Sequence, residues 1–280
     1  MIELQTLARL VRIEIVKFWR KPVAWFVLVL MLGGPILGEI LLFSISPGDA
    51  VYPRVVQFLF TADILVFIAL GTVVLSVLSM GNDYELGTVR VILSRGVDRY
   101  QFILSKTIAT VLASFAYGLV FTSAALVSSA IVHSAYSEIP FLQAAGSDIL
   151  WRVLGSTGVI SLINFVLSGI VMLALVLGRN SWVGMLAGLG YFFIDFFVGG
   201  VGSGSVFGVE DAYRYTVIYR AISIMERFFP YDPDVSLPRA WAELGFADPL
   251  GAAIVLLFYG LAIITVSIFF FQRQDLMAKS

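Results

Sequence analysis

Cysteine is absent from this sequence, so disulfides, thiolate nucleophiles and Cys-ligated metals are excluded. Histidine occurs once, at His133. A zinc site would need that one side chain plus carboxylates, and none is expected. Charge is scarce: 13% of residues are charged, where soluble domains carry about a quarter. The formal net charge of -1 offers no basic face of the kind a nucleic-acid partner requires. The sequence also lacks a G-x-x-x-x-G-K-[ST] phosphate loop, an H-E-x-x-H pair and a Gly-x-Ser-x-Gly elbow. No catalytic residue and no cofactor of its own are expected, and the chain is not expected to be an enzyme. If it does active work, the energy comes from elsewhere.

What fills the chain instead is apolar residues, 59% of the 280. A soluble fold of this size has too little interior to hide that much apolar surface, so lipid is the expected solvent. A bilayer-spanning helix needs roughly 20 mostly apolar residues. Six runs qualify, at about 22–45, 57–80, 107–133, 152–178, 182–200 and 249–271. The fold class expected is an all-α integral membrane protein, a single transmembrane domain over residues 1–280. The turn "GRNS", 178–181, reads as a tight hairpin between the fourth and fifth spans. The first run follows some 21 residues, is too long for a signal-peptide core and lacks a small-residue cleavage site, so it reads as a retained helix.

Orientation follows the Lys and Arg of the flanking loops. With six spans both termini share one side. That side carries Arg9, Arg12, Lys17, Arg20, Lys21, Arg90, Arg95, Arg99, Lys106, Arg179, Arg273 and Lys279. The other carries Arg54, Arg152 and four arginines of the loop after the fifth span. Both termini and the 81–106 loop are therefore expected in the cytoplasm.

Before the first span, residues 1–21 read as an amphipathic helix. Leu4, Leu7, Val11, Ile15 and Phe18 form one stripe, with Arg9, Arg12 and Arg20 opposite. Such a helix is expected along the membrane surface, its apolar face in the lipid boundary, and Pro22 permits a turn into the span. A contact with a cytoplasmic partner is the alternative use of this elbow.

Ionisable and amide groups at membrane depth are costly, so each is a functional candidate. They are Glu39, Asp63 and Asp195 toward the outer side, and Asn164 near the middle of the fourth span. They would line a pathway or outer gate, or else snorkel to the interface or cap a short external helix. "GMLAG", Gly184 to Gly188, permits close helix approach, within the chain or at a dimer seam. Residues 201–248 read as an external cap. One or two short helices are expected in "VEDAYRYTVIYRAISIMERFF", with Val217, Ala221, Ile224 and Phe228 on one face, and another in "RAWAELGF".

The most charged stretch is "GNDYELGTVRVILSRGVDRYQFILSK", residues 81–106. The second span is expected to end near Met80. Asp83 and Glu85 then stand at a helix start, where acids are favoured. A short helix follows over "TVRVILS", stopped at Arg95-Gly96 by a left-handed glycine. Asp98 suits the cap of the next helix, and Lys106 is expected to anchor it at the interface. A short helix across the ends of two spans is a handle that another protein can push.

Glu85, Gly87-Thr88, the apolar Val89 to Leu93, Ser94-Arg95, Arg99 and Lys106, with the elbow, six spans and long outer segment, resemble the permease subunits of the type-2 family of ABC transporters. One departure is Arg95-Gly96, in a turn where many members carry Pro. The resemblance implies a multi-pass subunit of a cell membrane, of bacterial type, working as an exporter. It implies a second permease copy or similar permease, and a separate ATP-binding subunit holding ATP and Mg. It also implies that 81–106 is the coupling loop, with Asp83, Tyr84, Glu85, Gly87, Thr88, Arg90, Arg95, Arg99 and Lys106 gripping that subunit. The alternatives are an ion-coupled secondary transporter using Glu39, Asp63 and Asp195, and a non-transporting membrane scaffold.

Overall fold

A computed structural model describes residues 2–45, 64–136, 149–198, 212–225, 227–228 and 247–274. Among the described residues there is no strand. Helix α1 spans Ile2–Trp19, α2 Pro22–Ile45, α3 Ile64–Glu85 and the short α4 Thr88–Ser94. Then come α5 Arg99–Tyr136, α6 Ile149–Gly178, α7 Ser181–Phe196, α8 Val217–Met225 and α9 Pro249–Arg273. A 3-10 turn, Ala212–Tyr215, precedes α8.

Local chemistry fixes several boundaries. Pro22 opens α2, where its missing N–H costs nothing. Asn180 caps α7 by accepting from the Trp182 N–H at 2.8 Å, and Arg179 takes the left-handed conformation, φ 52°. Two residues therefore turn α6 into α7, the hairpin expected at 178–181. Asp248 caps α9 by accepting from Gly251 N–H at 2.7 Å, with Pro249 at the first helical position.

Three helical stretches among the described residues are long and apolar enough to cross a membrane: Arg99–Ile131, Ile149–Gly178 and Pro249–Arg273. Pro22–Leu37 and Ser181–Phe196 are shorter apolar helices. The central element is α6, whose most apolar window is 67% buried inside the protein, against 44% for α5 and 28% for α9. It packs against α3, α5, α7, α8 and α9. Gly188 of α7 meets α6 and α3 closely enough that a Cβ would lie 2.6 Å from Val171 and 2.9 Å from Val73. Gly184 is pressed on Leu175 in the same way. "GMLAG" is thus used within the chain. With 38 residues, α5 is about 57 Å long, well beyond a hydrocarbon core of about 30 Å.

The apolar stripe of α1 faces the protein rather than lipid. Phe18 is buried, and Val11 and Ile15 pack on the main core cluster. The reason is that α1 lies against α5, so the burial a lone amphipathic helix finds in a bilayer is supplied here by the bundle. On the far side of the chain, α8 buries Val217, Ala221 and Ile224, with Phe228 packed beside them. The expected second short helix, "RAWAELGF", lies outside the described residues.

Candidate functional site

Helix α3 continues past Met80 as far as Glu85. The break comes at Gly87, which adopts φ 67°. Asp83 and Glu85 therefore stand in the last turn of α3 and not at a helix start. Thr88 bridges the break: its hydroxyl donates to the Asp83 carboxylate at 2.8 Å and lies 3.2 Å from the Asp83 carbonyl. The short helix α4 buries Val89 and exposes Arg90, Val91, Ser94 and Arg95. It ends as expected at Gly96, φ 84°, whose N–H donates to the Leu93 carbonyl at 3.1 Å.

Lys106 was expected at the membrane interface and is instead fully buried. Its ammonium donates to the Ser79 carbonyl at 2.7 Å, to Glu14 Oε2 at 3.1 Å, and to Asp83 Oδ2. The Phe102 ring lies 4.8 Å beneath it and stacks on Phe271. This position on α5 faces α1 and α3 rather than water, and two carboxylates fill its remaining valence. A buried ammonium left alone costs several kcal/mol; here all three protons have acceptors. Lys17 reaches Glu14 at 2.8 Å and stands 4.0 Å from Asp83. Lys21 donates to the Leu78 carbonyl at 2.6 Å. Lys21 and Lys106 thus meet the late turns of α3, where a helix dipole favours cations.

The electrostatics follow the geometry. Burial by itself pushes the Asp83 carboxyl up. The Lys106 charge and hydrogen bond, with Lys17 and the Thr88 hydroxyl, outweigh it and hold the group below its ordinary value. Burial depresses Lys17, but the bond to Glu14 and the charges of Glu14 and Asp83 leave it raised. Lys21 is lowered by burial, only partly offset by Asp83.

A second knot lies at the other end of α4. One Arg99 nitrogen donates to the carbonyls of Phe271, Gln272 and Gln274 at 3.1, 2.7 and 2.8 Å, closing the C-terminus of α9. Gln274 accepts from the Tyr84 hydroxyl at 3.4 Å and donates to the Val176 carbonyl. Burial pushes the Tyr84 hydroxyl up, against the opposing charge of Arg179. The ends of α3, α6 and α9 and the start of α5 are therefore fastened together around α4.

Of the sequence-expected residues, Asp83, Tyr84, Thr88, Arg99 and Lys106 form the root of α4, while Glu85, Gly87, Arg90 and Arg95 are exposed around it. The described intramembrane candidates, Asp195 and Asn164, do not join them. Asp195 is buried and accepts from Val217 N–H at 3.0 Å, Ile218 N–H at 2.8 Å and the Tyr191 hydroxyl at 3.0 Å. It caps α8. Asn164 is buried, and neither amide atom has a partner among the described residues. The Glu39 side chain and Asp63 lie outside the described residues. Glu14 and Gln274 were missed. Glu14 had a signal: it lies about 40° from Phe18 around the helix, an acid on the apolar side.

A family model described as "ABC-2 family transporter protein" matches residues 10–195. The chain belongs to the ABC-2 transporter family. It is a membrane subunit of an ABC transporter, and such ABC-2 subunits typically work with an ATP-binding subunit. No curated protein matches it. The ABC-2 match covers both knots except for the α9 residues, and ends at Asp195.

Proposed function

We propose that this ABC-2 subunit is an exporter permease driven by a separate ATP-binding subunit, with α4 as the coupling helix. The observation that carries the reading is the contrast across α4. Arg90, Val91, Ser94 and Arg95 are exposed, while its root is tied into α1, α3, α5 and α9 by charged and amide side chains. A short helix so mounted turns a push on its surface into movement of several spans. Glu85 and Arg95 are the surface charges best placed for a differential contact with a partner in its two states.

In this reading six spans cross the membrane, both termini are cytoplasmic, and α1 is the elbow. The chain binds no nucleotide; ATP and Mg belong to the partner, and the pathway forms between two permease copies. Glu39, Asp63 and Asn164 are the polar groups available to it. The test is to purify the complex and measure ATPase rate against transport in vesicles. Glu85→Ala and Arg95→Ala are expected to separate the two activities. Both activities unchanged in both variants would sink the coupling assignment, and absence of an ATP-binding protein from the purified complex would sink the exporter reading.

A further inference from the structure

With its apolar stripe packed on the bundle, α1 turns its opposite face outward. Arg9, Arg12, Ile13, Val16, Lys17 and Arg20 line a shallow groove of about 390 Å³ on that face. Arg9 and Arg20 are eleven residues apart, about 16 Å along the axis, and the other four lie between them. The side chains of Arg9, Arg12 and Arg20 make no hydrogen bond or ion pair among the described residues. Between these cations stand apolar side chains left exposed, Ile13 at 43% and Val16 at 44%, with Trp19 beside them. Trp19 packs edge-on against Trp25, whose indole N–H donates to the Trp19 carbonyl at 2.9 Å. The groove therefore ends where the chain turns into α2.

We propose that this groove is a binding site for the phosphate headgroup of an anionic glycerophospholipid. Guanidinium forks match phosphate oxygens in pairs, and cations interleaved with apolar residues and Trp suit the boundary between headgroup and acyl chain. An acidic protein groove would match the charge but leave Ile13 and Val16 without an apolar layer to enter, so lipid is the occupant the pattern favours. The site reports inward through Lys17, which lines the groove and holds Glu14, the carboxylate that also binds Lys106. Lipid charge on the elbow is thereby connected to the root of α4. The proposal rests on the chain being a membrane subunit and does not require the coupling assignment.

The test uses the full chain in detergent, titrated with phosphatidylglycerol or phosphatidylcholine and read by native mass spectrometry. Phosphatidylglycerol is expected to bind in preference. The triple variant Arg9→Gln, Arg12→Gln, Arg20→Gln, altered only at exposed positions, is expected to melt like the parent. It should bind phosphatidylglycerol roughly 100-fold more weakly, at about fivefold per basic residue lost from a membrane surface, with phosphatidylcholine unchanged. Equal binding of the two lipids by the parent, or undiminished phosphatidylglycerol binding by the variant, overturns the proposal. A variant that keeps its lipid but no longer co-purifies an ATP-binding subunit overturns it too, and marks the face as a protein contact. The lipid assay contains no ATP-binding subunit, so its failure leaves the permease reading standing.

Discussion

Replacing Lys106 by Met keeps the stem that fills the space beside Phe102 and removes the charge. Two carboxylates then lose their shared partner, with side chains only 9% (Glu14) and 13% (Asp83) exposed. Breaking a buried ion pair by removing one member costs about 3–5 kcal/mol, because the orphaned charge stays buried. Lys17, at 2.8 Å from Glu14 and 4.0 Å from Asp83, recovers part of this, so about 3 kcal/mol is expected. At about 2–4 °C per kcal/mol for a large domain, the melting temperature of the purified chain falls by roughly 10 °C at pH 7. Adding Asp83→Asn and Glu14→Gln removes the orphaned charges and is expected to restore most of the loss. The pH dependence discriminates further. In the parent, Asp83 has a folded value below its ordinary 3.8. Its contribution is therefore complete above that value and lost only as pH falls through the lower folded one. Without Lys106, the largest opposing contribution is gone and burial pushes the carboxyl up, so the deficit of the variant shrinks as pH falls and the orphaned acid takes up a proton. A Lys106→Met chain melting within about 2 °C of the parent at pH 7 would refute the argument that Lys106 holds two buried acids in place.

Three other expectations concern single contacts. Arg99→Met removes the one guanidinium nitrogen that donates to three carbonyls, so the end of α9 is expected to fray. Hydrogen exchange at 271–274 would rise, and an unchanged rate would contradict the capping role. Asp195→Ala removes three hydrogen bonds and the cap of α8, costing about 1–2 kcal/mol; limited proteolysis within 212–225 should accelerate, whereas Asp195→Asn retains acceptors and is milder. Gly188→Leu places a branched side chain against Val171 and Val73 and is expected to cost about 1–3 kcal/mol by overpacking, read as a lower melting temperature.

The long apolar runs were legible because a spanning helix is written in one local property, sustained hydropathy. The turn at 178–181 and the stop at Gly96 were legible because one or two residues specify them. What escaped was direction. Nothing in the periodicity of α1 says whether Leu7, Val11 and Ile15 meet lipid or protein, since both are apolar. Lys106 is a cation near the end of a span in either case; only packing with Glu14, 92 residues earlier, makes it a buried group. The extension of α3 to Glu85 escaped for a related reason. Asn82, Asp83 and Glu85 look like the start of something new, yet Asp83 stays in the helix because Lys106 and Thr88 are waiting for it. Asp195 drew notice as a charge at membrane depth; that it holds an adjacent helix start became visible only once α8 was seen against it.

The contact between α3 and α5 has one more consequence. Thr72 and Ser114 share a hydrogen bond at 3.1 Å, and the same antiparallel alignment sets Ser76 level with Thr110, both buried hydroxyls without a partner among the described residues. Two hydroxyl pairs thus stand one turn apart, and the next turn brings Met80 and Lys106. Sliding one helix by a single turn, about 5.4 Å, still sets one hydroxyl opposite another, so the hydroxyls by themselves hold this register weakly. Lys106 holds it, because its ammonium fits only where Asp83 and Glu14 converge. The ion pair therefore works as a detent on an otherwise smooth rail, setting where the helices rest without gripping them along their length.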